Sequence, residues 1–140
     1  MTFAHSRLFT AAPAKIFAAF QDPARLAKWW GPDGFRNTFS AFEFTPGGRW
    51  QFTMHGPDGK DYANEAVFTT IEPARTIVIQ HTSQPHFELA IHLHPEGSGT
   101  RVTWDQTFAS AETAASVKHI VEPANEQNLS RWQAEVAAAG

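Results

Sequence analysis

The sequence contains no cysteine, so it can form neither a disulfide nor a thiolate metal site, and it is suited to a reducing or an oxidising compartment alike. It lacks any apolar run near the roughly eighteen residues a membrane-spanning helix needs. Lysine and arginine form no run, and the formal charge of −3 argues against nucleic acid or an anionic membrane as the main target. No secretory leader pattern precedes Met1-Thr2-Phe3-Ala4-His5, so a cytoplasmic location is expected. Catalytic signatures are scarce as well. There is no Gly-x-Ser-x-Gly elbow and no His-Glu-x-x-His pair, and Gly47-Gly48 is too short to cradle a phosphate. Glu65, Glu72 and Glu122 are scattered, with no pairing for acid/base work visible in the spacing. No catalytic residue and no cofactor are assigned, and a non-catalytic role is expected.

Aromatic rings, by contrast, are abundant: twelve Phe and five Trp in 140 residues. Residues 1–140 suit one domain, and the apolar share of 42% is enough for a full core. Rings in this number serve either core packing or the lining of a cavity, and composition does not separate the two.

Phe3 to Phe9 alternates as a first strand. Pro13 opens a short helix with Ile16, Phe17 and Phe20 on one face, and Asp22-Pro23 caps and opens a second that ends at Gly31-Pro32-Asp33-Gly34. Six further strands are predicted at 38–44, 49–55, 62–71, 76–82, 87–94 and 100–108. They are separated by the turn signals Pro46-Gly47-Gly48, Gly56-Pro57-Asp58-Gly59, Glu72-Pro73-Ala74-Arg75 and Pro95 to Gly99. Ser110 caps a long helix to Ala139, with a stripe of Val117, Ile120, Ala124, Leu129, Trp132 and Val136, and Pro123 is expected to break or kink it. Hairpin-linked strands followed by a striped helix imply an α+β protein, a curved antiparallel sheet holding the helix in its concavity.

Six segments, in this order and spacing, resemble the START-like (SRPBCC) superfamily, in the branch named for the activator of a heat-shock chaperone ATPase, bacterial stand-alone type. They are Asp22-Pro23 through Trp29-Trp30-Gly31-Pro32, Pro46 to Trp50, His55 to Gly59, Tyr62 with Asn64-Glu65, Ile71-Glu72-Pro73 with Arg75, and Gly99 to Thr103. Glu122 through Asn128 fits the same type. The resemblance covers essentially the whole chain and implies a helix-grip fold with a cavity between the sheet and the terminal helix. It implies less about chemistry, because this superfamily includes carriers, cyclases and chaperone co-regulators.

If Pro73-Ala74 is a two-residue hairpin loop, Glu72 pairs with Arg75, Ala66 faces His81 and Phe68 faces Ile79. Asn64, Ala66, Phe68, Ile77, Ile79 and His81 then share the concave face. Alternation adds Trp50, Phe52 and Met54 from the third strand, Phe87, Leu89 and Ile91 from the sixth, and Val102, Trp104, Gln106 and Phe108 from the seventh. The terminal helix adds Asn125, Asn128 and Trp132. The expected ligand-binding set is thus Trp50, Phe52, Met54, Asn64, Phe68 and His81, with Leu89, Trp104, Gln106, Asn125, Asn128 and Trp132. These are mostly apolar walls with a few polar groups. Each polar group also has a structural reading: His81 as a hydrogen-bonded core histidine, Asn64 as a turn residue, and Asn125 as a repair of backbone bonds freed by Pro123. Trp29-Trp30-Gly31-Pro32 either gates this pocket or packs one end of the sheet. His86, His92 and His94 share the opposite, solvated face, and no metal site is assigned there.

The function expected is binding of a small hydrophobic or aromatic molecule in that cavity. The alternatives are an enzyme of the polyketide cyclase/hydrolase kind using His81, Asn64 and Gln106, and a protein-interaction role as a chaperone co-regulator. A monomer and a homodimer both fit the sequence.

Overall fold

The computed structural model describes residues 1–139. Its elements are β1 (Thr2–Phe9), α1 (Pro13–Gln21), α2 (Pro23–Trp29), β2 (Arg36–Phe42), β3 (Arg49–His55), β4 (Asp61–Glu72), β5 (Thr76–His81), β6 (Phe87–Glu96), β7 (Gly99–Phe108) and α3 (Ala111–Ala138). The seven strands form one antiparallel sheet in the order β1-β7-β6-β5-β4-β3-β2. β1 therefore closes against the last strand, and α1 and α2 carry the chain across to β2 at the far edge. Together with α3 this is the expected α+β helix-grip arrangement. No helix among the described residues is long and apolar enough to cross a membrane.

Local chemistry sets the helix starts. Pro13 and Pro23 stand in first turns, where a missing N–H costs nothing. The Asp22 carboxylate accepts from Ala24 N at 3.0 Å, and Ser110 Oγ accepts from Thr113 N at 3.0 Å. α3 runs on through Pro123 as one helix, so the break expected there does not occur. Proline has no N–H to give to the carbonyl of His119, four residues back, so one helical hydrogen bond is missing there.

Three departures from expectation go beyond a single residue at a strand end, each for a physical reason. β2 covers 36–42 rather than 38–44, because the Asn37 amide anchors its start to the carbonyls of Ala27 and Trp30. Its end is set where the chain turns just after the bond of Glu43 N to Arg49 O, with Thr45 N bonding back to Glu43 O, although the Phe44 ring still stacks on Phe42. Pro95 lies inside β6, opposite Thr100, rather than in the turn. Leu93 N bonds Arg75 O, so the nitrogen of Pro95, two residues on, points past the start of β5, where no ladder bond is lost. The β4–β5 loop holds three residues rather than two, so Glu72 pairs with Thr76 and not Arg75. A bulge at Thr69 takes up the extra residue, and the expected pairs Ala66–His81 and Phe68–Ile79 form after all.

The core is asymmetric. One end of the groove is packed solid with rings: Phe20 lies within 6.4 Å of Trp29, Trp30, Phe44, Trp50, Phe68 and Trp132, centroid to centroid. Trp132 of α3 stacks on Trp29 of α2 at 4.7 Å with planes 4° apart. Their indole N–H groups donate to α1, Trp29 to Ala19 O and Trp132 to Ile16 O. A second, small cluster of Phe3, Phe108 and Ala114 seats the start of α3. Between these two supports the helix spans the sheet, and Ile120 at mid-span is 59% exposed.

Trp132→Ala is expected to cost about 3–5 kcal/mol in urea unfolding, as for large rings removed from a tight core. Ile120→Ala should stay within about 0.5 kcal/mol.

Candidate functional site

Where α3 crosses between its two supports it leaves a cavity of about 230 Å³ against the sheet. Trp30, Phe52, Met54, Phe87, Leu89 and Trp104 form most of its apolar wall, and Ile120, Val121 and Ala124 form its helical side. The polar groups on it are Asn64, His81, Gln106, Asn125 and Asn128, and no Asp, Glu, Lys or Arg lines it. The wall is therefore neutral wherever His81 is neutral. A larger depression of about 660 Å³ lies on the outer side of α3, among His5, Lys118, His119, Glu122 and Glu126, and is open surface. There Glu126 binds His5 Nδ1 at 2.5 Å and Arg7 at 2.9 Å, fastening β1 to the helix. The His5 hydrogen bond, helped by Arg7, holds the Glu126 carboxyl below its ordinary value.

The loop that closes one end of the cavity is held by α3. Gly31 turns with φ +96° and packs so closely that a Cβ would stand 2.7 Å from Met54 Cε. Its N–H donates to Asn128 Oδ1 at 2.8 Å. Arg131 then donates to five backbone carbonyls: Trp30, Gly31 and Pro32 through Nη1, and Lys28 and Phe35 through Nη2. This guanidinium satisfies the α2 terminus and the loop at once, a planar fork with several donors that an ammonium cannot copy. The Trp30-Gly31-Pro32 segment thus lines the cavity and is tied down along its backbone.

His81 sits on β5 with 4% exposure, its ring parallel to Phe87 at 4.4 Å. Its Nδ1–H donates to the carbonyls of Ser83 (2.9 Å) and Pro85 (2.8 Å), which fixes the tautomer. Nε2 lies 2.8 Å from Asn64 Oδ1. A protonated ring donates to that oxygen. A neutral ring requires Asn64 to present its NH₂ instead and to give up its 2.9 Å bond to Tyr62 O. Burial pushes the His81 pKa below its ordinary 6.5, against the two carbonyl bonds that favour the charged ring, and His86 adds to the depression.

Of the twelve residues expected to bind a ligand, nine line this cavity: Phe52, Met54, Asn64, His81, Leu89, Trp104, Gln106, Asn125 and Asn128. Trp50, Phe68 and Trp132 do not. They face inward as the alternation required, but Phe20 and its neighbours fill that half of the groove, and Trp50 stacks on Phe68 inside it. Asn125 repairs no backbone bond; its Nδ2 donates to Gln106 Oε1 at 3.0 Å. Ile120 and Ala124 were visible on the helical stripe, whereas Pro85 carried no signal, since only the fold brings its loop to the wall. On the outer face the His92 and His94 rings lie 5.9 Å apart, and no group of three potential ligands among the described residues could hold a metal.

The family model described as "Activator of Hsp90 ATPase homolog 1-like protein" matches residues 10–136. No curated protein sequence matches the chain. Among solved structures, a protein of Arthrobacter aurescens is similar at 26% identity and TM-score 0.90, covering 98% of this chain and 86% of that one. A Mycobacterium smegmatis protein gives 26% identity and TM-score 0.85, over 99% and 92% of the two chains. The AHSA1 protein of Silicibacter pomeroyi, at 23% identity and TM-score 0.81 over the full length of both chains, shares the fold.

Two outcomes are expected. Between the lowered pKa of folded His81 and 6.5 the unfolded chain binds more protons, so stability rises with pH through that window and is fully present above it. The stability advantage of the parent chain over His81→Gln, measured by urea unfolding from pH 5 to 7.5, should therefore shrink as pH falls below 6.5. Arg131→Lys should speed amide hydrogen exchange across residues 30–35 and cost about 2 kcal/mol, the scale of lost hydrogen bonds to a charged group.

Proposed function

This chain belongs to the Activator of Hsp90 ATPase homolog 1-like family, and from that premise we propose that it binds a small hydrophobic or aromatic molecule in the cavity between the sheet and α3. One observation carries the reading: the helix spans a half-open, uncharged space lined by rings while the rest of the groove is packed solid. A void of about 150 Å³ is enough to admit benzene, so about 230 Å³ has room for a ring with a small substituent. Ile120, exposed on the helix and part of the wall, stands at the mouth of this space. The binding is read as non-catalytic and the setting as cytoplasmic.

A second reading, an enzyme of the polyketide cyclase/hydrolase kind, draws on His81. Its Nδ1 is committed to two carbonyls, which leaves Nε2 as the basic nitrogen at the cavity wall, screened only by Asn64. Full turnover of any identified substrate by His81→Ala would eliminate it.

Native mass spectrometry of gently purified protein should retain a small molecule, and a ligand at a hundred times its Kd should add about 2.7 kcal/mol of stability. Ala124→Phe, which places a ring in the cavity from the helix side, should abolish that gain while the chain stays folded. A gain unchanged by Ala124→Phe would place binding elsewhere.

A further inference from the structure

Two of the cavity's five polar side chains keep a polar group unbonded within the protein whether His81 is charged or neutral. Asn128 is spent on Gly31 N and Ala124 O. His81 and Asn64 bond each other and nearby carbonyls. The indole N–H of Trp104 has no partner but is sealed from solvent. Gln106 on β7 and Asn125 on α3 are different. They are 8% and 4% exposed and joined by one hydrogen bond, Asn125 Nδ2 to Gln106 Oε1, at 3.0 Å. Gln106 Nε2 and Asn125 Oδ1 then make no bond within the protein, yet neither is among the sealed unpartnered atoms, so the cavity both residues line is what reaches them.

Two amides joined by a single bond leave one whole NH₂ group and one whole carbonyl without a partner. This holds whichever way the amides are turned, because reversing both exchanges the two roles without removing either. The free pair is therefore a neutral donor–acceptor edge on an otherwise apolar wall. A ligand carboxamide completes it: its carbonyl accepts from one side chain, its N–H donates to the other, and all three amides are satisfied. A carboxylate offers only acceptors and finds no cation on the wall to offset its desolvation. A plain hydrocarbon leaves both protein groups unpaired.

We propose that the Gln106–Asn125 pair makes the cavity selective for a compact, uncharged ring compound bearing a carboxamide or lactam edge. This rests on the reading of the cavity as a ligand site. The whole chain is titrated at pH 7.5 with benzamide, toluene, phenol and benzoate, followed by amide NMR shifts. The same is done with Gln106→Met/Asn125→Leu, in which both partners become apolar at similar volume. Benzamide should bind about tenfold or more tighter than toluene, the scale of one satisfied buried pair, and benzoate should not bind. In the double variant toluene binding should persist and the preference for benzamide should disappear. If that variant loses the native spectrum, Gln106→Met alone takes its place. A parent chain that prefers toluene or phenol, or a preference unchanged in the variant, overturns the selectivity and leaves the ligand cavity standing. Shifts from none of the four overturn both.

Discussion

The stack of Trp132 on Trp29 is the contact on which the rest of the molecule depends. It joins α3 to α2, and its two indole N–H groups reach α1, so three helices meet at one pair of parallel rings. Burying two indoles this fully while pairing both N–H groups removes much apolar surface from water and leaves no polar cost behind. With that end of α3 fixed, its direction across the sheet is set. The short cluster of Phe3, Phe108 and Ala114 holds the other end.

The cavity follows from this two-point support. Rings from α1 and α2 fill the groove only as far as they reach, and beyond Trp30 the helix passes over the sheet unsupported. Small residues under the span, such as Ala124, widen the gap rather than close it. The charges that fasten the helix, Arg7 with Glu126 and Arg25 with Glu135, all lie outside the cavity, and Arg131 spends its charge on backbone carbonyls. The charged groups therefore hold the scaffold, while uncharged amides and one histidine face the space within.

That division fits a fold whose members share architecture more than chemistry. The sheet and the anchored helix end carry the solid packing, and the span between the supports is where the cavity lies. His81 stands at the boundary: its carbonyl contacts belong to the scaffold, and Nε2 with Asn64 belongs to the wall.

Much of the fold was legible in the residues. Period-two alternation gives seven strands, Asp22-Pro23 and Ser110 mark helix starts, and alternation with the clustering of Phe68, Ile77 and Ile79 gives the inward face of β3 to β7. Local signals are sufficient there because caps, turns and alternation act over a few residues. Even so, the β4–β5 register came out right through two cancelling departures, a longer loop and a bulge, which no short-range pattern announces. The site was legible by face and not by depth. Alternation places Trp50, Phe68, Phe52 and Trp104 on one surface, but only the arrival of Phe20 and the Trp29–Trp132 stack decides which of them are buried in solid core and which border a void. The meeting of Gln106 with Asn125, nineteen positions apart on a strand and a helix, is of the same kind. The sequence by itself determined which side chains point inward. Tertiary packing decided where the inside is full and where it is empty, because filling a volume depends on all the segments that converge on it.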